Sequence, residues 1–136
     1  MSVRLSELGS FHEIFDMHER LGFGAFSEVF RITKKSNPKA EFAAKVFEKK
    51  TLEEGELDEI FEEARILQKL NHAHIVRLRQ LYDEPTHLYL VSDLLAGGEL
   101  VDRIIEKEFY AEADARDVMR TLLDSVAYMH ARGIVH

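Results

Sequence analysis

The chain has 136 residues, 46% hydrophobic and 32% charged, with a formal net charge of −7. That is enough apolar material for one core of modest size in one or two domains, and the negative charge argues against nucleic acid or an anionic membrane as the main partner and favours positively charged substrates. There is no cysteine, so disulfides and thiol chemistry are excluded and an intracellular, cytoplasmic setting is the default expectation.

The first residues, Met1 to Glu13, hold no apolar run long enough for a signal peptide or a membrane span. Phe11, Ile14, Phe15 and Met17 lead into a first strand ending at Leu21. There follows Gly22-Phe23-Gly24-Ala25-Phe26-Ser27. Two glycines one residue apart let a backbone approach a bulky anion, since no Cβ intervenes and positive φ costs little; successive N–H groups in such a turn bind phosphate oxygens. An ordinary tight hairpin turn is the plain alternative. In a dinucleotide-binding fold the glycines open a helix, whereas Glu28-Val29-Phe30-Arg31-Ile32-Thr33 alternates as a strand does. The spacing therefore predicts a glycine-tipped β-hairpin.

After a polar turn, Lys35 to Lys39, a third strand puts Phe42, Ala44 and Val46 on one face and Ala43, Lys45 and Phe47 on the other. Lys45 is thus a cation on a face that otherwise reads as core. A snorkelling side chain with a wet head is one reading; a buried ammonium meeting a negative partner is the other. Thr51 to Glu54 form a possible capping box, and Leu57, Ile60, Ala64, Leu67 and Leu70 repeat at helical spacing. Glu63 falls between Ile60 and Leu67 on that stripe. A solvated rim position is the bland account; pairing with Lys45 would resolve both desolvation problems.

The helix ends at Leu70-Asn71, and two further strands, Arg77 to Asp83 and His87 to Asp93, flank the turn Glu84-Pro85-Thr86. Leu88, Leu90 and Ser92 share a face of the second. Glu99 precedes a helix over Leu100 to Lys107, where an acid suits the N-terminal dipole. A long helix spans Ala111 to Ala131, with Val118, Leu122, Val126 and Met129 along one face and Gly133 as its stop. Without H-E-x-x-H spacing, His72, His74, His130 and His136 read as cap, core or loop residues rather than zinc ligands.

Gly22, Gly24, Val29, Ala43 and Lys45 match the G-x-G-x-x-G-x-V loop and V-A-I-K strand of eukaryotic protein kinases. The departures are Ser27 at the third glycine, and Phe42 and Ala44. The stretch His72 to Leu78 is similar to the H-P-N-I-V-x-L turn with Ala73 and His74 substituted, and Ser92 to Leu100 resembles the hinge and its G-G-E-L continuation. From about Phe15 to His136 the chain resembles a serine/threonine kinase, most of all the calcium/calmodulin-dependent group, in which the glycine-to-serine change is common.

That resemblance implies an α+β fold: a kinase N-lobe of five antiparallel strands plus one helix over 13–95, after an N-terminal extension at 1–12, and the first two helices of a C-lobe over 96–136. It implies ATP, with Gly22, Gly24, Ala25, Phe26 and Ser27 over the phosphates and the Lys45–Glu63 ion pair positioning them. Leu21, Val29 and Ala43 form the adenine ceiling, Ser92 is the gatekeeper, the backbone of Asp93 and Leu95 reads the adenine edge, and Glu99 approaches the ribose. With Asp102, Glu99 also suggests a protein substrate with arginine before the target serine or threonine. Leu67, Leu78 and His136 join a hydrophobic stack across the lobes. His136 matches the first letter of H-R-D-L-x-x-x-N, so the catalytic Asp and the Asn and Asp that hold Mg2+ are absent, the chain is expected to be catalytically incomplete, and an apolar stripe of the long helix is left exposed. The alternatives are a non-catalytic nucleotide- or kinase-binding module and a non-functional truncated product. Nothing in the resemblance bears on calmodulin control.

Overall fold

The structure is a computed structural model describing residues 9–135. The stretch 1–8, assigned above to the extension, and His136, assigned to the catalytic-loop motif and the hydrophobic stack, lie outside the described residues. The chain divides into two compact units, one comprising residues up to 69 with 77–94, the other 70–76 with the residues from 95 onward.

The first unit is a five-stranded antiparallel sheet in the order β1-β2-β3-β5-β4, formed by β1 (Phe15–Phe23), β2 (Ser27–Lys34), β3 (Asn37–Glu48), β4 (Leu78–Asp83) and β5 (His87–Asp93). A short helix, α1 (Phe11–Ile14), precedes it, and α2 (Glu56–Lys69) follows β3. The β2–β3 turn is tighter than the polar run suggests: Lys34 pairs with Asn37, so Asn37, Pro38 and Lys39 already belong to β3. The Thr51–Glu54 capping box is replaced by a 3-10 turn, Lys49–Thr51, in which the Thr51 hydroxyl donates to the Glu48 carbonyl (2.8 Å), while the Glu56 carboxylate accepts the Glu53 N–H (2.7 Å).

Strand register gives the sheet two distinct faces, each with its own core. One face carries Ile32, Ala44, Tyr82, Tyr89 and Val91 and is closed by Phe11 and Phe15. Phe11, assigned by sequence to the extension, is fully buried there, and its N–H donates to the Glu84 carboxylate (2.7 Å). The Glu13 carboxylate returns to the Ser10 N–H (2.8 Å), holding the single turn of α1. The other face carries Phe47, Leu78, Leu81, Leu88 and Leu90 and packs on α2 through Leu57, Ile60, Phe61, Ala64 and Leu67.

The second unit contains α3 (Leu100–Glu106) and α4 (Glu112–His130), each within a residue of its expected end. Gly133 takes φ +73°, and its N–H and that of Ile134 return to the carbonyls of His130 and Met129 (3.0 Å each), closing α4. Tyr128 ties α4 to the 70–76 segment: its hydroxyl accepts the Asn71 N–H (2.9 Å), and its ring centre is 3.6 Å from the Arg132 guanidinium and 5.0 Å from the His72 ring. Met119, Leu122 and Leu123 of α4 are exposed, as are Val101 and Ile105 of α3. Among the described residues no helix is long and apolar enough to cross a membrane.

Candidate functional site

The glycine hairpin joins β1 to β2 over Gly24–Phe26. The Gly24 N–H donates to the Ser27 carbonyl (2.7 Å), which closes the turn, whereas the N–H groups of Ala25 and Phe26 donate to no group among the described residues. Neither Gly22 nor Gly24 has positive φ, so left-handed geometry is not what requires glycine here. Space is what Gly24 supplies: a Cβ would sit 3.0 Å from the Ser27 hydroxyl. A Cβ on Gly22 would meet nothing within 4 Å, which leaves that side open to approach.

Register places Lys45 directly between Val29 of β2 and Leu90 of β5, and Ala43 directly between Arg31 and Ser92. Val29, Ala43, Lys45 and Ser92 therefore share one face, the face that also carries α2, and all four are half-buried. Lys45 is not a fully buried ammonium, and among the described residues it forms no ion pair. Its Nζ lies 5.3 Å from the centre of the Phe47 ring, a cation–π contact that uses the apolar wall without removing the charge from water.

Glu63 does not reach it. Among the described residues Lys45 and Glu63 form no ion pair, and Glu63 is exposed. The reason lies in the stripe of α2. With about 100° between successive residues, Phe61, which joins the core against the sheet, pulls the centre of the buried arc away from Glu63. The carboxylate is left on the flank, roughly a quarter-turn from that centre.

At the end of β5, the Asp93 N–H donates to the Arg77 carbonyl (3.2 Å), and its carboxylate receives both arms of Arg79 (2.6 and 3.2 Å). That fork raises the Arg79 pKa, the hydrogen bond being the main cause. Leu95 and Glu99 belong to the second unit and are exposed. Glu99 occupies the N-cap position of α3 without a side-chain cap hydrogen bond, and Asp102 stands in its first turn. Leu21 is exposed at the end of β1. No group of three or more His, Asp or Glu among the described residues converges to hold a metal ion.

A glycine hairpin followed by a strand that carries a lysine between two core positions is the order a kinase nucleotide lobe requires, and the protein kinase domain model matches residues 15–136. The chain belongs to the protein kinase domain family. It is similar to the calcium/calmodulin-dependent protein kinase type 1 of Macrobrachium nipponense, with 43% identity over 120 residues, covering 88% of this chain and 34% of that protein. With the type II enzyme of Caenorhabditis elegans the identity is 45% over 126 residues, 93% of this chain and 17% of that protein. Among solved structures, a crystal structure of Rad53 1-466 in complex with AMP-PNP superposes with a TM-score of 0.77 at 32% identity, covering 92% of this chain and 32% of that one. The kinase chain described here spans about a third or less of the length of these relatives.

Sequence reasoning overlooked one residue on the Lys45 face of this kinase chain. Arg31 stands beside Ala43 and donates from Nε to Glu19 (2.7 Å) and from Nη1 to Glu41 (3.0 Å). The guanidinium holds the Glu19 carboxyl below its ordinary range and is itself raised by that hydrogen bond. The signal was present, because alternation from Val29 puts Arg31 on the same face.

Proposed function

We propose that this chain is the ATP-binding portion of a serine/threonine protein kinase of the calcium/calmodulin-dependent type. The observation that carries this reading is the placement of Lys45 beside Val29 and Ala43 on the α2 side of the sheet, behind a glycine hairpin whose tip holds two adjacent N–H groups with no acceptor among the described residues. Those N–H groups and the open side of Gly22 suit phosphate oxygens, and the Lys45 ammonium supplies the complementary charge. Val29 and Ala43 are small apolar groups suited to a purine face. Ser92, next to Ala43, leaves room behind it, and the backbone of Asp93 and Leu95 is assigned to the purine edge. Leu21 completes the apolar ceiling in this reading, and Glu99 is assigned to the ribose.

In this proposal the chain's residues bind and orient ATP. Lys45 grips the phosphates first, and Glu63 steadies it only when α2 turns its flank toward β3. The γ-phosphoryl group is destined for a protein serine or threonine hydroxyl in the complete family domain, with a basic residue before the target as the preferred context through Glu99 and Asp102. Mg2+ accompanies ATP in the family, but the described residues assemble no ligand cluster for it, and it has no part in the roles assigned here. A cytoplasmic setting belongs to the same reading and agrees with the cysteine-free sequence.

The test is calorimetric titration of the chain with AMP-PNP, beside the Lys45→Met variant. Binding weakened about tenfold or more in the variant, roughly 1.4 kcal/mol, is expected. Equal affinity in the two proteins, or no binding to either, would overturn the reading.

A further inference from the structure

A concavity of about 390 Å³ opens on the sheet face opposite Lys45, between the outer side of the glycine hairpin and β2, β3 and the start of β5. Its lining is mixed: Phe26, Phe30 and Val46 supply apolar surface, Arg20, Ser27, Thr51 and His87 polar surface, and two carboxylates, Glu28 on β2 and Glu48 on β3, stand at it. The volume lies at the lower end of the range for small-ligand sites, about 300–1,000 Å³.

The chain's own cations show what this arrangement attracts. The Arg20 guanidinium lies 5.1 Å from the centre of the Phe23 ring and 3.3 Å from the Glu28 carboxylate, both residues being part of the same lining. At the other side Lys50 reaches Glu48 at 2.8 Å. Arg20 and Lys50 have side chains 54% and 78% exposed, so their pairs are weak and open to exchange with an incoming cation. A planar guanidinium gains more here than an ammonium, because it stacks on a ring while forking to a carboxylate. The net charge of −7 steers a basic partner toward the surface.

We propose that this concavity is a docking site for an arginine-bearing basic segment of another polypeptide, with a guanidinium inserted against Phe26 and Phe30 and held by Glu28 and Glu48. The contacts use the Phe26 ring rather than its N–H and do not involve Lys45, so the site stands whether or not the nucleotide reading does.

The probe is a fluorescent acetyl-tetra-arginine amide, titrated by anisotropy against the whole chain, with tetra-lysine as comparison. Expected is an affinity about tenfold weaker for the Glu28→Gln/Glu48→Gln double variant, and a change under about twofold for Glu106→Gln/Glu112→Gln, which removes the same charge from the second unit. Phe26→Ala, a change at a half-exposed side chain that leaves the charge intact, is expected to weaken binding several-fold as an independent readout of the stacking. Equal losses in the two double variants would mean general acidity, and no loss in the first double or in Phe26→Ala would mean binding elsewhere; either result overturns the proposal, as does tetra-lysine binding as tightly as tetra-arginine.

Discussion

The ring of Phe11 lies flat on that of Tyr89, 3° from parallel with centroids 4.1 Å apart, and neither is more than 4% exposed. A residue four positions before β1 is thereby part of the core on the sheet face opposite Lys45. Stacking adds a directional term to the burial of a whole aromatic side chain. Phe11→Ala is expected to cost about 3–5 kcal/mol, measured by urea unfolding, and a loss below about 0.5 kcal/mol would show that the α1 segment is not held as described.

Glu63 leads to an expectation opposite to the one its sequence position suggests. An ion pair between Lys45 and Glu63 inside the lobe would lose roughly 3–5 kcal/mol when either partner is removed. In this structure Glu63 is exposed and makes no such pair, so Glu63→Ala without nucleotide should leave unfolding within about 0.5 kcal/mol of the parent. A loss above roughly 2 kcal/mol would place the pair in the resting state after all.

These two residues mark where the sequence was legible and where it was not. Strand alternation placed Lys45 with Ala43 and Phe47, and Leu88 with Leu90 and Ser92, because a two-residue period leaves a side chain only two faces to choose between. The helix offers a continuous circle instead, and leaving out Phe61 turned the inferred stripe enough to bring Glu63 inside. Phe11 was misplaced for a different reason: a four-residue helix has too little periodicity to read, and its burial depends on Tyr82 and Tyr89, more than seventy positions away. The family motifs fixed the order of the site residues, but not the Asp93–Arg79 fork or the Arg31 cluster.

Burial raises the phenol pKa of both Tyr82 and Tyr89, and the Glu84 carboxylate adds a smaller push at Tyr89. The folded state thus keeps both protons to higher pH than the unfolded chain, which titrates near about 10. Below that pH both states are protonated and the pair has no effect on the pH dependence; above it the unfolded chain has lost protons that the folded one retains, and stability falls. Urea midpoints measured from pH 8 to 11 should drop at the alkaline end, less steeply in Tyr82→Phe than in the parent. Identical slopes would mean that Tyr82 is not the group responsible.

Ser92 and Ala43 are register partners on the Lys45 face, two small side chains side by side with Leu78 opposite Ser92 on the next strand. If the purine lies against Ala43, a side chain as small as Ser92 obstructs the space beyond it less than a bulkier one would. Adenine-based inhibitors carrying a bulky aryl group on that side should then bind the parent chain, and Ser92→Phe should weaken them about tenfold or more, roughly 1.4 kcal/mol, by putting a phenyl ring where the aryl group goes. AMP-PNP has no such group, and its affinity should change less than about threefold, which is under 1 kcal/mol. Two outcomes would break this chain of reasoning at different points: inhibitor binding unaffected by Ser92→Phe would remove Ser92 from the pocket, whereas equal losses for inhibitor and AMP-PNP would mean that the phenyl ring disturbs the strand itself.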